Sequence, residues 1–138
     1  MTGDTVESSA AVDRYGNVYF GSHDGNIYAL SNAGKILWIF YTGYAIYSSP
    51  AISTNGILYV GSDDSNIYAL RMLNGFPIWA IKTNGPIRSS PSLGESSIFL
   101  TYLLKQHVAD SNLTQIHQEM MEHYSLDLAM RQYMQLVR

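Results

Sequence analysis

Residues 57–70 read Ile57-Leu58-Tyr59-Val60-Gly61-Ser62-Asp63-Asp64-Ser65-Asn66-Ile67-Tyr68-Ala69-Leu70, and forty positions earlier the chain reads Asn17-Val18-Tyr19-Phe20-Gly21-Ser22-His23-Asp24-Gly25-Asn26-Ile27-Tyr28-Ala29-Leu30. Each copy places a short β-branched and aromatic run, a cluster of Gly, Ser, Asp and Asn, and a second apolar run in that order. Such a cluster favours a tight turn, because Gly, Asn and Asp tolerate positive φ, so each copy predicts a β-hairpin.

Working outward, the likeness continues. Ser8-Ser9-Ala10-Ala11-Val12 returns as Ser48-Ser49-Pro50-Ala51-Ile52 and again as Ser89-Ser90-Pro91-Ser92-Leu93. Trp38 returns as Trp79, 41 positions on, so the second unit carries one extra residue before its Trp. Ala10 to Val12 and Ala51 to Ile52 predict first strands. Val18 to Gly21 and Ile57 to Gly61 predict second strands, and Ile27 to Leu30 and Ile67 to Leu70 third strands. Lys35 to Tyr41 and Pro77 to Lys82, around the Trp, predict fourth strands. Four strands in about 40 residues is the arithmetic of a β-propeller blade.

The phrase from Tyr59 to Leu70, followed by Gly75 and Trp79, resembles the PQQ-like repeat of quinoprotein alcohol dehydrogenases and BamB-type outer-membrane assembly lipoproteins. The resemblance covers residues 8 to about 99. It implies a docking motif in which Ala, Gly and Trp at fixed offsets lock one blade to the next. Ala69, Gly75 and Trp79 match that spacing, and Ala29, Gly34 and Trp38 match it with one residue deleted. Ser31 and Arg71 stand where the family usually has Asp. The resemblance also suggests the cell envelope or secretion as the location. The N-terminal residues show neither the basic nor the apolar region of a signal peptide.

The expected architecture is mainly β: blades at 8–47 and 48–88 and a partial blade at 89–102, followed by an α-helical segment at 103–138. The third unit starts properly, and Ile98-Phe99 matches Ile57-Leu58. Leu100-Thr101-Tyr102-Leu103-Leu104 then replaces the expected pattern. All 11 glycines lie at or before Gly94. In the tail, Asp110-Ser111 offers an N-cap before Leu113, Ile116, Met120 and Tyr124 at helical spacing. Ser125 offers another before Leu126, Ala129, Met130, Tyr133 and Val137. Two helices follow, with Ile116, Met120, Tyr124, Met130 and Tyr133 as an interaction face. The pair faintly resembles transposase-type helix-turn-helix segments. However, three cations (Lys105, Arg131, Arg138) against four acids (Asp110, Glu119, Glu122, Asp127) supply few phosphate contacts.

Composition points the same way. With 46% hydrophobic and 14% charged residues a packed core is expected. A net charge of -3 without a basic run argues against nucleic acid as the main partner. The absence of cysteine removes disulfides and thiolate chemistry. No apolar stretch approaches the length of a membrane span.

The resemblance to quinoproteins implies a calcium site and a catalytic carboxylate at a propeller centre, assembled from several blades. Asp63-Asp64 with Asn66, the nearest acidic cluster, reads instead as turn chemistry, matched by His23-Asp24-Gly25-Asn26. His117 and His123 lie six apart, on opposite faces of a helix, so they do not form a metal pair with Glu119 and Glu122. The recurring Ser pairs read as structural residues at the head of each first strand. Neither a catalytic residue, a metal nor a cofactor is therefore expected. The function expected is that of a protein-interaction scaffold, because two blades and a fragment leave apolar blade faces to be covered. A homo-oligomer or an aggregate is expected of the chain made alone, whether it is a piece of a larger propeller or completes a ring by self-association. A fragment of a quinoprotein dehydrogenase and a DNA-associated protein acting through the tail are the alternatives.

Overall fold

The computed structural model describes residues 1–93. Eight strands follow in chain order: β1 (Ala11–Val12), β2 (Val18–Gly21), β3 (Asn26–Leu30), β4 (Ile36–Tyr41), β5 (Ala51–Ile52), β6 (Ile57–Gly61), β7 (Asn66–Arg71) and β8 (Pro77–Lys82). They form two four-stranded antiparallel meanders in the orders β1-β2-β3-β4 and β5-β6-β7-β8. These are the two repeat units.

The hairpin β2–β3 closes because Asp24 Oδ1 accepts from the Asn26 amide at 3.0 Å, and β6–β7 closes likewise through Asp64 and Asn66 at 2.8 Å. Asn26 and Asn66 pair with Tyr41 and Lys82 and so begin the third strands one residue earlier than the apolar run suggests. Gly25 takes φ 85° at the tip, and Ser65 takes φ 73° at the equivalent place.

The extra residue of the second unit lies in the β7–β8 turn. There the Gly75 amide bonds back to Arg71 O, whereas in the first unit the Gly34 amide bonds to Ser31 O, one residue nearer. Both sheets shift register after the Ala, between Ala29 and Leu30 and between Ala69 and Leu70.

The core lies between the sheets. Tyr19, Ile27, Ala29, Trp38 and Ile46 from the first unit meet Leu58, Val60, Tyr68 and Leu70 from the second. Strands in this position are apolar on both sides because each sheet is meant to be covered twice. Two glycines set how closely the junction segments approach. A Cβ on Gly21 would lie 2.2 Å from Ile46 Cγ2, and one on Gly61 2.4 Å from Ile87 Cγ2.

Candidate functional site

Trp38 pairs with Ala29 across the β3–β4 ladder, and the small Ala leaves the indole free to lie over the sheet near Tyr19, 5.9 Å between ring centres. The indole Nε1 donates to Met72 O of the second blade at 2.8 Å. A Cβ on Gly75 would lie 2.7 Å from the indole, and Gly75 holds φ 71°, so glycine is required twice over. Ala29 and Trp38 of one blade and Gly75 of the next therefore form a single contact. Ser31, in the family's Asp position, accepts from the Lys35 amide at 3.1 Å and closes its own turn.

Ala69 and Trp79 repeat the pairing in the second sheet, with Tyr59 5.8 Å from the indole. Trp79 is only half-buried, whereas Trp38 is 8% exposed. Gly34, the first-blade counterpart of Gly75, has open space where a Cβ would be.

The serine pairs divide their work. Ser8 Oγ accepts from the Gly21 amide at 2.8 Å and Ser48 Oγ from the Gly61 amide at 3.1 Å, each inside its own blade. The second serine of each pair runs between blades: Ser9 N donates to Ser49 Oγ and Ser49 N donates to Ser90 Oγ.

The turn carboxylates are occupied. Burial works to raise Asp24, but hydrogen bonds from the Tyr28 hydroxyl, the Gly3 amide and the Asn26 amide outweigh it and hold the carboxyl below its ordinary value. Asp13 is likewise lowered against burial, by Asn17, Tyr15 and Tyr19. Burial first, then the hydrogen bond to Asp13, pushes the Tyr19 hydroxyl up to about 12. Burial alone pushes Tyr59 up to about 12. Tyr68, which donates to Asp64 at 2.5 Å, is raised as well by burial and by that carboxylate.

A polar cluster that sequence reading missed sits where the junction segments meet the β2–β3 and β6–β7 turns. The Tyr47 ring lies between His23, 4.2 Å between ring centres, and the Arg88 guanidinium, 4.5 Å from the ring centre. Arg88 grips Asp63 with two nitrogens, at 3.0 and 2.7 Å. Glu7 Oε2 stands 3.8 Å from His23 Nε2. Glu7, Tyr47 and Arg88 each precede a serine pair, and His23 and Asp63 each follow a Gly-Ser. That shared position was the available signal, and three different side chains there concealed it.

The two blades differ most on one face. Leu58, Val60 and Leu70 are 0% exposed beneath the first blade. Their counterparts Val18, Phe20 and Leu30 are half-buried, with Val12 exposed beside them. Val6, in the position of the fully buried Ile46 and Ile87, is 42% exposed. The first blade thus presents uncovered the surface that the second blade buries. On the far side of the second sheet Tyr59, Ile67, Ala69 and Ile81 are buried.

Ile116, Met120, Tyr124, Met130 and Tyr133, and the two helices expected around them, lie outside the described residues. Among the described residues no helix is long and apolar enough to cross a membrane, and no group of three or more His, Asp or Glu is placed to hold a metal ion.

The strictosidine synthase-like, N-terminal family matches residues 9–30, which run from β1 to the end of β3. No curated protein matches the chain. Among solved structures, a europium-containing methanol dehydrogenase is similar at 16% identity and TM-score 0.55, over 61% of this chain and 21% of that one. BamB from Moraxella catarrhalis is similar at 17% identity and TM-score 0.62, over 70% of this chain and 34% of BamB. Quinohemoprotein alcohol dehydrogenase from Comamonas testosteroni is similar at 18% identity and TM-score 0.60, over 69% of this chain and 17% of that one. At these identities the likeness is one of fold: two blades of a partial PQQ-like β-propeller. The chain spans about a third or less of the length of each of these three structures.

Proposed function

We propose that this chain is a non-catalytic PQQ-like propeller segment that works as a protein-interaction scaffold and is completed by association with further blades. The observation that carries this is the difference between equivalent faces, Leu58, Val60 and Leu70 fully buried and Val18, Phe20 and Leu30 not. An apolar sheet face with a known mode of cover one blade away is an interface in want of a partner. The commitment of Asp13, Asp24 and Asp64 to turn hydrogen bonds supports a structural role for these carboxylates. The likeness to BamB fits a protein-binding role, and the likeness to two dehydrogenases keeps a fragment of a quinoprotein enzyme as the second reading.

The test is calorimetry and turnover on the purified chain with pyrroloquinoline quinone, calcium and a primary alcohol. The scaffold reading expects neither stoichiometric quinone binding nor alcohol oxidation. Tight one-to-one binding of quinone and calcium would shift the assignment to the enzyme fragment.

A further inference from the structure

We propose that Asn84-Gly85 is a site of spontaneous deamidation, a covalent modification of the junction segment that follows β8. An asparagine followed by glycine cyclises readily, because glycine carries no Cβ to obstruct attack on the side-chain amide carbon. The chain has three such pairs, Asn55-Gly56, Asn74-Gly75 and Asn84-Gly85, and all three asparagines are exposed. Their glycine amides, which are the nucleophiles, are not alike. The Gly56 amide donates to Ser53 O at 3.2 Å and the Gly75 amide to Arg71 O at 2.8 Å. The side chains beside them are held too: Asn55 Oδ1 accepts from the Ser53 hydroxyl, and Asn74 Oδ1 from the Phe76 amide at 3.1 Å. The third pair differs on each count. Neither the Gly85 amide nor the Asn84 side chain has a hydrogen-bond partner among the described residues. Asn84 and Gly85 form a bend outside any ladder, with open space where a Gly85 Cβ would be, whereas Gly75 lies against the Trp38 indole.

The reaction balances with water as its only co-reactant. The Gly85 amide gives up its proton to base, its nitrogen bonds to Asn84 Cγ, and the Cγ–Nδ2 bond breaks with release of ammonia. The resulting succinimide takes up water at either carbonyl. Opening at one gives aspartate. Opening at the other gives iso-aspartate, in which the main chain runs through the former side-chain carbonyl and is one methylene longer. That extra length falls between two anchored points. The Thr83 amide and hydroxyl both donate to Ser65 O, at 2.7 and 2.9 Å. The Ile87 amide donates to Ser62 O at 3.0 Å, and its fully buried side chain fills the space that Gly61 leaves. Iso-aspartate at position 84 therefore loosens the junction segment from the β6–β7 turn.

Peptide mapping by mass spectrometry, with fragmentation that separates iso-aspartate from aspartate, tests this on the full-length chain held at mildly alkaline pH. In the folded chain position 84 should convert about tenfold or more faster than positions 55 and 74, whose pairs must first break their hydrogen bonds. In concentrated urea, which frees all three glycine amides, the rates should draw together. Gly85→Ala, which adds a methyl where there is open space, should keep the fold and suppress conversion at position 84. After conversion the unaltered chain should unfold at lower urea, and Gly85→Ala held alongside should not shift. Conversion at position 55 or 74 as fast as at position 84 in the folded chain overturns the site. A preference for position 84 that persists undiminished in urea overturns its origin in the fold, and an unmoved urea midpoint after conversion overturns the loosening.

Discussion

The amide of Ser9 donates to the hydroxyl of Ser49 at 2.8 Å, forty residues away and one blade across. The amide of Ser49 repeats the bond to Ser90 at 2.9 Å. One serine in each repeat thus stitches its blade to the one before, and the serine ahead of it, buried, accepts from the glycine amide of its own blade.

That division makes the two neighbours unequal. Ser48→Ala leaves the Gly61 amide without an acceptor in a buried place, which costs about 1–3 kcal/mol. Ser49→Ala removes a bond that is exposed to water at the Ser9 amide and costs about 0.5–1.5 kcal/mol. Urea unfolding should rank Ser48→Ala as the more damaging. The reverse order would mean that the inter-blade stitch, and not the buried cap, holds the junction.

The two tryptophans are equivalent in sequence and unequal in structure. Trp38→Ala removes a side chain that bridges both sheets and should cost about 3–5 kcal/mol. Trp79→Ala, half-buried, should cost clearly less in the monomer. Gly75→Ala should be severe, because its Cβ would overlap the Trp38 indole, whereas Gly34→Ala meets no neighbour and costs only its φ. Thermal unfolding of the four variants at low protein concentration tests the set. Equal losses at Trp38 and Trp79 would contradict the asymmetry.

Much of this fold was legible in the sequence, and the reasons are local. Turn residues from His23 to Asn26 and from Asp63 to Asn66 fix the hairpins, and the Trp marks the fourth strand. First strands begin at Ala11 rather than Ala10 and fourth at Ile36 rather than Lys35, where no ladder partner exists. The docking residues were legible as a motif, but their arrangement was not. Ala29 and Trp38 find their glycine at Gly75, in the next blade, and spacing within one unit cannot show a contact between two. The cluster of Glu7, His23, Tyr47, Asp63 and Arg88 was hidden for the same reason. Its members come from different blades and mix acidic, basic and aromatic side chains.

The hairpin tips offer a matched pair of substitutions. At Gly25 a Cβ would meet the Tyr41 ring at 2.9 Å, so Gly25→Ala combines a clash with a strained φ. Beside Ser65, Lys82 stands opposite Asn66 where the first blade has Tyr41 opposite Asn26, and its ammonium donates to Asp64 O at 2.7 Å. Only the φ of 73° remains unfavourable there. Ser65→Gly relieves about 1–2 kcal/mol of left-handed strain and gives back about 0.5–1 kcal/mol in unfolded-chain entropy. A small rise in melting temperature should result, against a large fall for Gly25→Ala. A loss of stability in Ser65→Gly would show that the serine side chain contributes more than its backbone costs.

Alkaline pH should unfold the blades through their raised phenols, Tyr19 and Tyr59 together with Tyr68 and Tyr28. Tyr19 and Tyr59 ionise at about 12 in the fold and at 10.0 when free, because burial opposes the phenolate and Asp13 adds its charge at Tyr19. Folded values raised above the unfolded value mean that the folded state binds more protons between them. The stabilisation is therefore complete below pH 10 and is lost as the pH rises from 10 towards 12. The lowered carboxyls Asp13 and Asp24 act oppositely, contributing above their ordinary value of 3.8 and losing that contribution as the pH falls below it. Urea midpoints measured across the alkaline range should fall steeply past pH 10. The double variant Tyr19→Phe, Tyr59→Phe should make that fall shallower, with Tyr68 and Tyr28 supplying the remainder. An unchanged alkaline limb would remove Tyr19 and Tyr59 from the account.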